Sequence, residues 1–257
     1  MGKLSIHQLQ FGVEIESNLS IHDIEQISWD DGWTYHYEHC GVELVSPILK
    51  GAKGFLNLRK QLKKLWKGRK FIGFKNCGLH VHVDISHFSL QNAKRLVALA
   101  STYDKVIFSL MEPCRSKNQY TSHCDYPIEK IMQCRSYYEL AHLQKNGRYH
   151  GTNLYAFSKH GTVEFRYSMG TANWQKIYAL IVMYLKMVAL AGSSEPIDFN
   201  NNLKNAKSRK LELARDRFCR ILDLPSSVEK TLTRLSAIYT TGENTDGMFM
   251  ETINLVI

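Results

Sequence analysis

Residues 77–86 read CGLHVHVDIS, and the reading of this run decides the fold. Taken as a strand, it places His80, His82 and Asp84 on one face and Leu79, Val81, Val83 and Ile85 on the other. The same two-residue period recurs elsewhere in the chain. In QFGVEIES (10–17), Phe11, Val13 and Ile15 oppose Gly12, Glu14 and Glu16. YHYEHCGVELVSPI (35–48) reads as a strand or hairpin that carries Glu43 and stops at Pro47, because proline cannot continue a ladder in mid-sheet. GTVEFRYSM (161–169) carries Glu164 and Arg166 on one side, and HGTNLYAFS (150–158) is expected to form a further strand.

Helical spacing separates these strands. Phe55, Leu58, Leu62 and Leu65 recur every three to four residues, with basic residues on the opposite side. Ser89 is placed to cap an apolar stripe from Leu90 to Leu110, Ser136 and Glu139 have capping-box spacing, and Asn173 precedes an apolar helix through 191. Residues 112–135 read as irregular. Beyond 192 the chain turns basic and helical, with a further capping box expected at Ser226 and Glu229 and an edge strand expected at 248–257. Helices do not alternate regularly with strands, which favours an α+β fold on a mostly antiparallel sheet over a doubly wound parallel one.

The chain has 257 residues, 44% of them hydrophobic and 22% charged, enough apolar material for a large packed core. Its net charge of +9 is concentrated in two places. Residues 51–70 hold eight Lys and Arg and no acid, and a second cluster runs from Lys204 to Arg220. Such runs are either solvated helix faces or a surface for an anionic partner such as nucleic acid. The apolar stretch 177–191 is too short for a membrane span and is interrupted by Lys186, so no membrane partner is expected. Six cysteines, with no apolar signal core at the start, point to reduced thiols and a cytoplasmic setting. Cys114, Cys124 and Cys134 lack the tight spacing of zinc ligand pairs.

The polar strand faces are unusual in composition. Solvated strand faces are rich in Thr, Lys, Ser and Gln, whereas these carry Glu14, Glu16, Glu43, Glu164 and two imidazoles, with no lysine. Carboxylates crowded on one sheet repel unless cations neutralise them, which makes the set a candidate for divalent metal, with oxygen ligands favouring Mg2+ or Mn2+ over Zn2+. Arg166 suits an anion such as phosphate, which its planar fork grips bidentately. No G-x-x-x-x-G-K-[ST] or G-x-G-x-x-G loop occurs, so a nucleotide would be held in another way.

The segments FGVEIES, GVELVSP, CGLHVHVD, YHGTNL and TVEFRYSMGT, in this order and spacing, resemble the amidoligase family of carboxylate–amine ligases, distant relatives of glutamine synthetase and γ-glutamylcysteine ligase. The resemblance covers roughly residues 9–190. It implies a catalytic domain over 1–191, with a curved antiparallel sheet, an active site on the concave face and helices outside, as in a glutamine synthetase-like fold. It also implies an ATP-dependent ligase in which a carboxylate is phosphorylated and an amine displaces phosphate from the acyl phosphate. Glu14 and Glu16 would each bind a different Mg2+, Glu43 would join one ion, and His80 and Glu164 would complete the other. Arg166 would neutralise the transferring phosphoryl group, and Asn153 and Arg148 would orient substrate or phosphate. His82 and Asp84 would contact substrate or nucleotide or support the metal shell, and Arg115 and Asn118 are further candidates for substrate or nucleotide contact. The partners implied are a small-molecule or peptide carboxylate donor and an amine acceptor. The basic extension 192–257 falls outside the resemblance and is expected to pack on the same domain. Its role is open among binding the acceptor, binding another protein and covering the core.

Two other classes fit parts of the pattern. His82-x-Asp84 is the first half of a two-histidine, one-carboxylate iron triad, with His123, His142, His150 or His160 as third ligand, which would make the protein an oxygenase. A basic nucleic-acid-binding protein without catalysis would use the charge runs, and a ligase could use the same helices for an anionic acceptor. Neither rival accounts for Glu14, Glu16, Glu164 and Arg166 together.

Overall fold

The structure is a computed structural model that describes residues 5–38, 41–66, 74–143, 147–199, 203 and 208–241. The strands are β1 (Gln10–Ser17), β2 (Thr34–Glu38), β3 (Gly41–Val45), β4 (Leu49–Lys50), β5 (Phe74–Asp84), β6 (Thr152–Asn153) and β7 (Thr162–Gly170). They form one antiparallel sheet in the order β2-β3-β1-β5-β7-β6, with β4 on the end of β1. The helices are α1 (Ile21–Glu25), α2 (Gly51–Trp66), α3 (Leu90–Ser109), α4 (Ile128–Gln133), α5 (Tyr137–His142), α6 (Tyr155–His160), α7 (Trp174–Gly192), α8 (Ser208–Ile221) and α9 (Ser226–Thr241).

Alternation along the strands becomes two faces of the sheet. Phe11, Val13, Ile15, Leu79, Val81, Val83, Val163 and Phe165 are all buried. Helix α7 packs on β5, α3 and α9, and Phe165 stacks on Tyr184 of α7 with ring centroids 4.2 Å apart. Helix α7 is long and apolar enough to cross a membrane by length and composition, and 78% of its most apolar window is enclosed by the rest of the fold. A helix apolar on all sides is stable in a soluble fold when other elements cover it in this way.

The caps account for where the core helices begin. Ser89 Oγ accepts from Asn92 N at the start of α3, and Asn173 Oδ1 accepts from Lys176 N at the start of α7. Ser136 Oγ accepts from Glu139 N, but the Glu139 carboxylate takes Arg135 N instead of Ser136 N, so only half of the expected box forms. Helix α9 begins at Ser226 itself, with Glu229 N bonded to Pro225 O, which removes Ser226 from the capping position expected of it.

Two expectations change. The strand expected over 150–158 lasts only for Thr152–Asn153, because Asn153 Oδ1 accepts from Tyr155 N and turns the chain into α6. That helix ends at Gly161, whose φ of +67 suits glycine. The irregular stretch 112–135 contains a short 3-10 turn, Arg115–Lys117, and α4. The edge strand expected at 248–257 lies outside the described residues. Of the basic residues of α2, Lys60 and Lys64 pair with Asp30 at 2.9 and 2.7 Å.

Helices α8 and α9 pack against α3 and α7. Between the last helix and the sheet lies a buried polar link. Glu112 Oε1 accepts from Lys176 Nζ and, at 3.0 Å, from the Tyr239 hydroxyl of α9, while Glu112 Oε2 takes Met169 N of β7 at 3.2 Å. Burial works to raise the Glu112 carboxyl, but the Lys176 charge outweighs it and holds the group below the usual carboxylate range.

Candidate active site

Cross-strand register gathers the polar residues into one cluster. Glu14 lies opposite His80, Glu16 opposite Glu43, His82 opposite Glu164, and Glu164 opposite Asn153. Side chains directly opposite on one face are close enough to touch, so residues from β1, β3, β5, β6 and β7 meet over the middle of the sheet. His80 Nδ1 lies 3.2 Å from Glu14 Oε2 and 3.4 Å from Glu164 Oε1, and its Nε2 lies 3.5 Å from Glu16 Oε1. His82 Nε2 approaches Glu14 Oε1 at 3.3 Å, Asn153 Nδ2 donates to Glu164 Oε2 at 2.6 Å, and Arg166 Nη1 pairs with Glu164 Oε1.

A cavity of about 340 Å3 opens above this cluster. Its walls carry five carboxylates (Glu14, Glu16, Glu38, Glu43, Glu164) against three permanent cations (Arg148, Lys159, Arg166). The excess of acid is concentrated in two triads whose ligand atoms all lie within 4.8 Å of one another: Glu14, Glu43 and His80, and Glu14, His82 and Glu164.

A sequence model of the family described as "Putative amidoligase enzyme" matches residues 13–188, which is more than half of the chain and includes every residue of both triads. The chain belongs to the amidoligase family. That description points to amide-bond formation as the family's chemistry. A comparison with curated proteins finds no match. Among solved structures, the chain is similar to a bifunctional glutathione synthetase from Pasteurella multocida at a TM-score of 0.49 and 11% identity, over 95% of this chain and 48% of that one. The chain thus spans about half the length of that protein.

The residues singled out in the sequence fall into three groups. Glu14, Glu16, Glu43, His80, His82, Arg148, Asn153, Glu164 and Arg166 all line the acid-rich cavity. Asp84 lies two residues beyond His82 and lines a neighbouring cavity instead. Arg115 and Asn118 line neither. Arg115 is buried and donates to the carbonyls of Arg166 and Tyr167, bracing β7 from behind, and Asn118 Oδ1 accepts from Tyr120 N in a turn. The expected division of ligands also shifts. Glu14 alone belongs to both triads, whereas Glu16 belongs to neither and accepts from Gly78 N while facing His80. His82, expected either beside the substrate or in the metal shell, sits in the second triad. Of the third ligands open to an oxygenase, His123 pairs with Asp104, His142 bonds to the Tyr138 carbonyl, His150 faces Tyr126, and His160 lies beside His82 with ring centroids 6.0 Å apart and lines the same cavity as Asp84, but among the described residues no triad includes Asp84 or His160. No cysteine belongs to a triad either.

Three positioning residues carried no signal of charge. Thr162 Oγ1 lies 3.0 Å from His82 Nδ1, which fixes the ring and directs Nε2 at the carboxylates. At Gly78, a Cβ would lie 2.4 Å from His80 Nε2 and 3.3 Å from Glu16 Oε2. At Gly151, a Cβ would lie 2.2 Å from the Tyr167 ring, and the Gly151 carbonyl accepts from Arg166 N at 2.7 Å. We expect Gly78→Ala to leave the helices and their melting intact but to push the His80 ring aside, lowering amide-forming turnover about 100-fold. Circular dichroism melting and turnover measured together check this; unchanged turnover would show that the ring has room to yield.

Electrostatics follow from the crowding. Burial works to raise the Glu14 carboxyl, but the hydrogen bond with His80 and the approach of His82 outweigh it and hold Glu14 far below the ordinary carboxylate range. Burial also opposes ionisation of Glu164, and the charges of His80, Arg166 and His82 prevail and keep it low. Burial disfavours a charged His82, yet Glu14 and then Glu164 raise it. Glu43 goes the other way: burial, then the charges of Glu14, Glu38 and Glu16, push it up to about 8. Its proton therefore binds more tightly in the folded than in the unfolded chain, and stability contributed by that proton falls as pH rises from the ordinary carboxylate value of 4.5 through about 8. Glu43→Gln should match the parent protein near pH 4. Above pH 8 we expect it to be more stable by about 1–2 kcal/mol once solvent screening is allowed for, a Tm gain of about 2–8 °C. Thermal melts at the two pH values, without added divalent cation, test the sign.

Proposed function

We propose that the protein is an ATP-dependent carboxylate–amine ligase, with the polar face of the sheet as the catalytic surface of a glutamine synthetase-like fold. The observation that supports this most is the pair of acid–imidazole triads sharing Glu14, with Arg166 on the adjacent strand. The donor set fits divalent cations of the Mg2+ or Mn2+ kind. Each triad offers two carboxylates and one imidazole, and the buried Nε2 of His82 has no aligned hydrogen-bond partner among the described residues. Glu14, Glu43 and His80 would hold one ion, Glu14, His82 and Glu164 a second, with Glu16 supporting His80. When bound, such ions shield the phosphate charges of ATP from the surrounding carboxylates.

In this reading a carboxylate oxygen of the donor forms a bond to the γ-phosphorus of ATP, the bond to the bridging oxygen breaks, and ADP leaves. The lone pair of the amine then forms a C–N bond to the acyl carbon, the C–O bond to phosphate breaks, and phosphate leaves with that electron pair. The nitrogen gives up its proton to a carboxylate of the site. Arg166 spreads positive charge over the oxygens of the transferring phosphoryl group, the stabilisation such transfers need most. Asn153 holds Glu164 from the side away from Arg166 and keeps the pair in register with His82. Arg148 and Lys159, on the cavity wall, attract the anionic donor.

The reading is tested by ADP and phosphate release. Release should require a divalent cation and should occur only when a carboxylate and an amine are supplied together. ADP release that is indifferent to both would mean a simple nucleotide hydrolase, and amide formation without ATP would exclude the acyl phosphate.

A further inference from the structure

A second cavity, about 460 Å3, lies beside the acid-rich one and shares Glu14, His82 and His160 with it. Its charge is different in kind. Arg148, Lys159 and Arg166 all line the first cavity, and no Lys or Arg lines the second. Apart from the shared wall, the one titratable residue there is Asp84. Asp84 Oδ1 accepts from Ser86 N at 2.9 Å, which fixes the carboxylate and leaves Oδ2 without a partner among the described residues. Between Asp84 and the shared wall the lining is apolar or small: Gly12, Val45, Pro47 and Ile48, with Ile48 77% exposed at the rim.

We infer that this second cavity seats the acceptor, and that the acceptor is an alkyl diamine or a lysine-like side chain. Its distal ammonium rests on Asp84 and its nucleophilic amine reaches the wall shared with the acid-rich cavity. The inference deepens the ligase reading and rests on it for the word acceptor. An anion entering here would meet Asp84 and Glu14 with no lysine or arginine to offset them, whereas an ammonium at the Asp84 end gains from a carboxylate with no basic side chain beside it. The aliphatic stem suits Val45, Pro47 and Ile48, which would otherwise face water. Length agrees as well. Asp84 and His82 are two residues apart on one face of β5, about 7 Å, the span of a chain of four or five carbons at about 1.5 Å per bond. In the ligase reading the first cavity, with its three cations and both candidate ion positions, is then left to the carboxylate and the phosphates, and the two substrates meet at Glu14 and His82.

The test uses the full chain and 1,5-diaminopentane, with pentylamine and glutarate as probes of equal length. Asp84→Asn keeps the acceptor oxygen for Ser86 N, so the turn is preserved. In calorimetry, 1,5-diaminopentane should bind the parent protein and lose at least tenfold in affinity in Asp84→Asn, while any binding of glutarate is unaffected. In turnover, the variant should raise KM for the diamine at least tenfold with little change in kcat, and pentylamine, whose tail carries no charge, should show no such rise. Diamine affinity equal in the two proteins, or glutarate binding lost in the variant, overturns the seat even if ADP release persists. Absence of ADP release with every acid and amine pair overturns the ligase reading, while diamine binding that depends on Asp84 still supports the seat.

Discussion

Glu14→Gln is expected to reduce cation-dependent ADP release by about 1,000-fold or more while the protein remains folded. Glu14 is the one residue common to both triads, so its loss removes a ligand from each candidate ion position at once. Gln keeps the shape and one acceptor oxygen, so the contact with His80 survives in weakened form. The ionised form of Glu14 is favoured by folding, and its stabilising effect is present above the ordinary carboxylate pKa and lost in acid. The variant should therefore melt a few degrees lower at pH 7, with the difference closing as pH falls. Activity within tenfold of the parent protein would remove Glu14 from the centre of the site. The choice of Glu14 over Glu164 matters, because Glu164 also holds Arg166, and Glu164→Gln would leave a buried guanidinium short of its partner.

Arg166→Lys should lower kcat by about 100- to 1,000-fold with a smaller effect on KM. Arg166 is about nine-tenths buried, its Nη1 is committed to Glu164, and its Nε has no hydrogen-bond partner among the described residues. A planar fork can keep one edge on Glu164 and present another to a phosphoryl group, and a lysine ammonium has no second edge. Burial further disfavours a charged lysine. Steady-state kinetics with ATP varied separates this from simple loss of nucleotide binding, which would raise KM and spare kcat. Unchanged kinetics would leave Arg166 as a structural partner of Glu164.

The sheet was legible because its strands carry their signal locally. A two-residue period in 77–86 or 10–17 needs no knowledge of neighbours, and it correctly separates His80 and Glu14 from Leu79 and Val13. Which residues meet across strands is a matter of register, which no single strand encodes. That is why the sequence alone leaves Glu14 and Glu16 equivalent, although only Glu14 lies opposite His80, and leaves His82 between substrate contact and the metal shell, a choice on which its pairing with Glu164 bears. The contributions of Gly78 and Gly151 come from an absent side chain and that of Thr162 from one hydroxyl, so a search for titratable groups passes over them. Arg115 was misleading for the opposite reason. Its charge suggested an anion, whereas it serves the carbonyls of β7. In 150–158 the strand pattern was overridden by one side chain, Asn153, bonding to the amide two residues ahead.

The grip on Glu112 gives the far end of the chain a stake in the chemistry. Its two oxygens tie Tyr239 of helix α9, Lys176 of α7 and Met169 of the strand that bears Arg166 into a single knot. Prying that helix loose would withdraw a hydroxyl from a desolvated ion pair and admit water three residues from the arginine. What the sequence presents as a basic extension is, in the folded chain, a latch on the strand that bears Arg166.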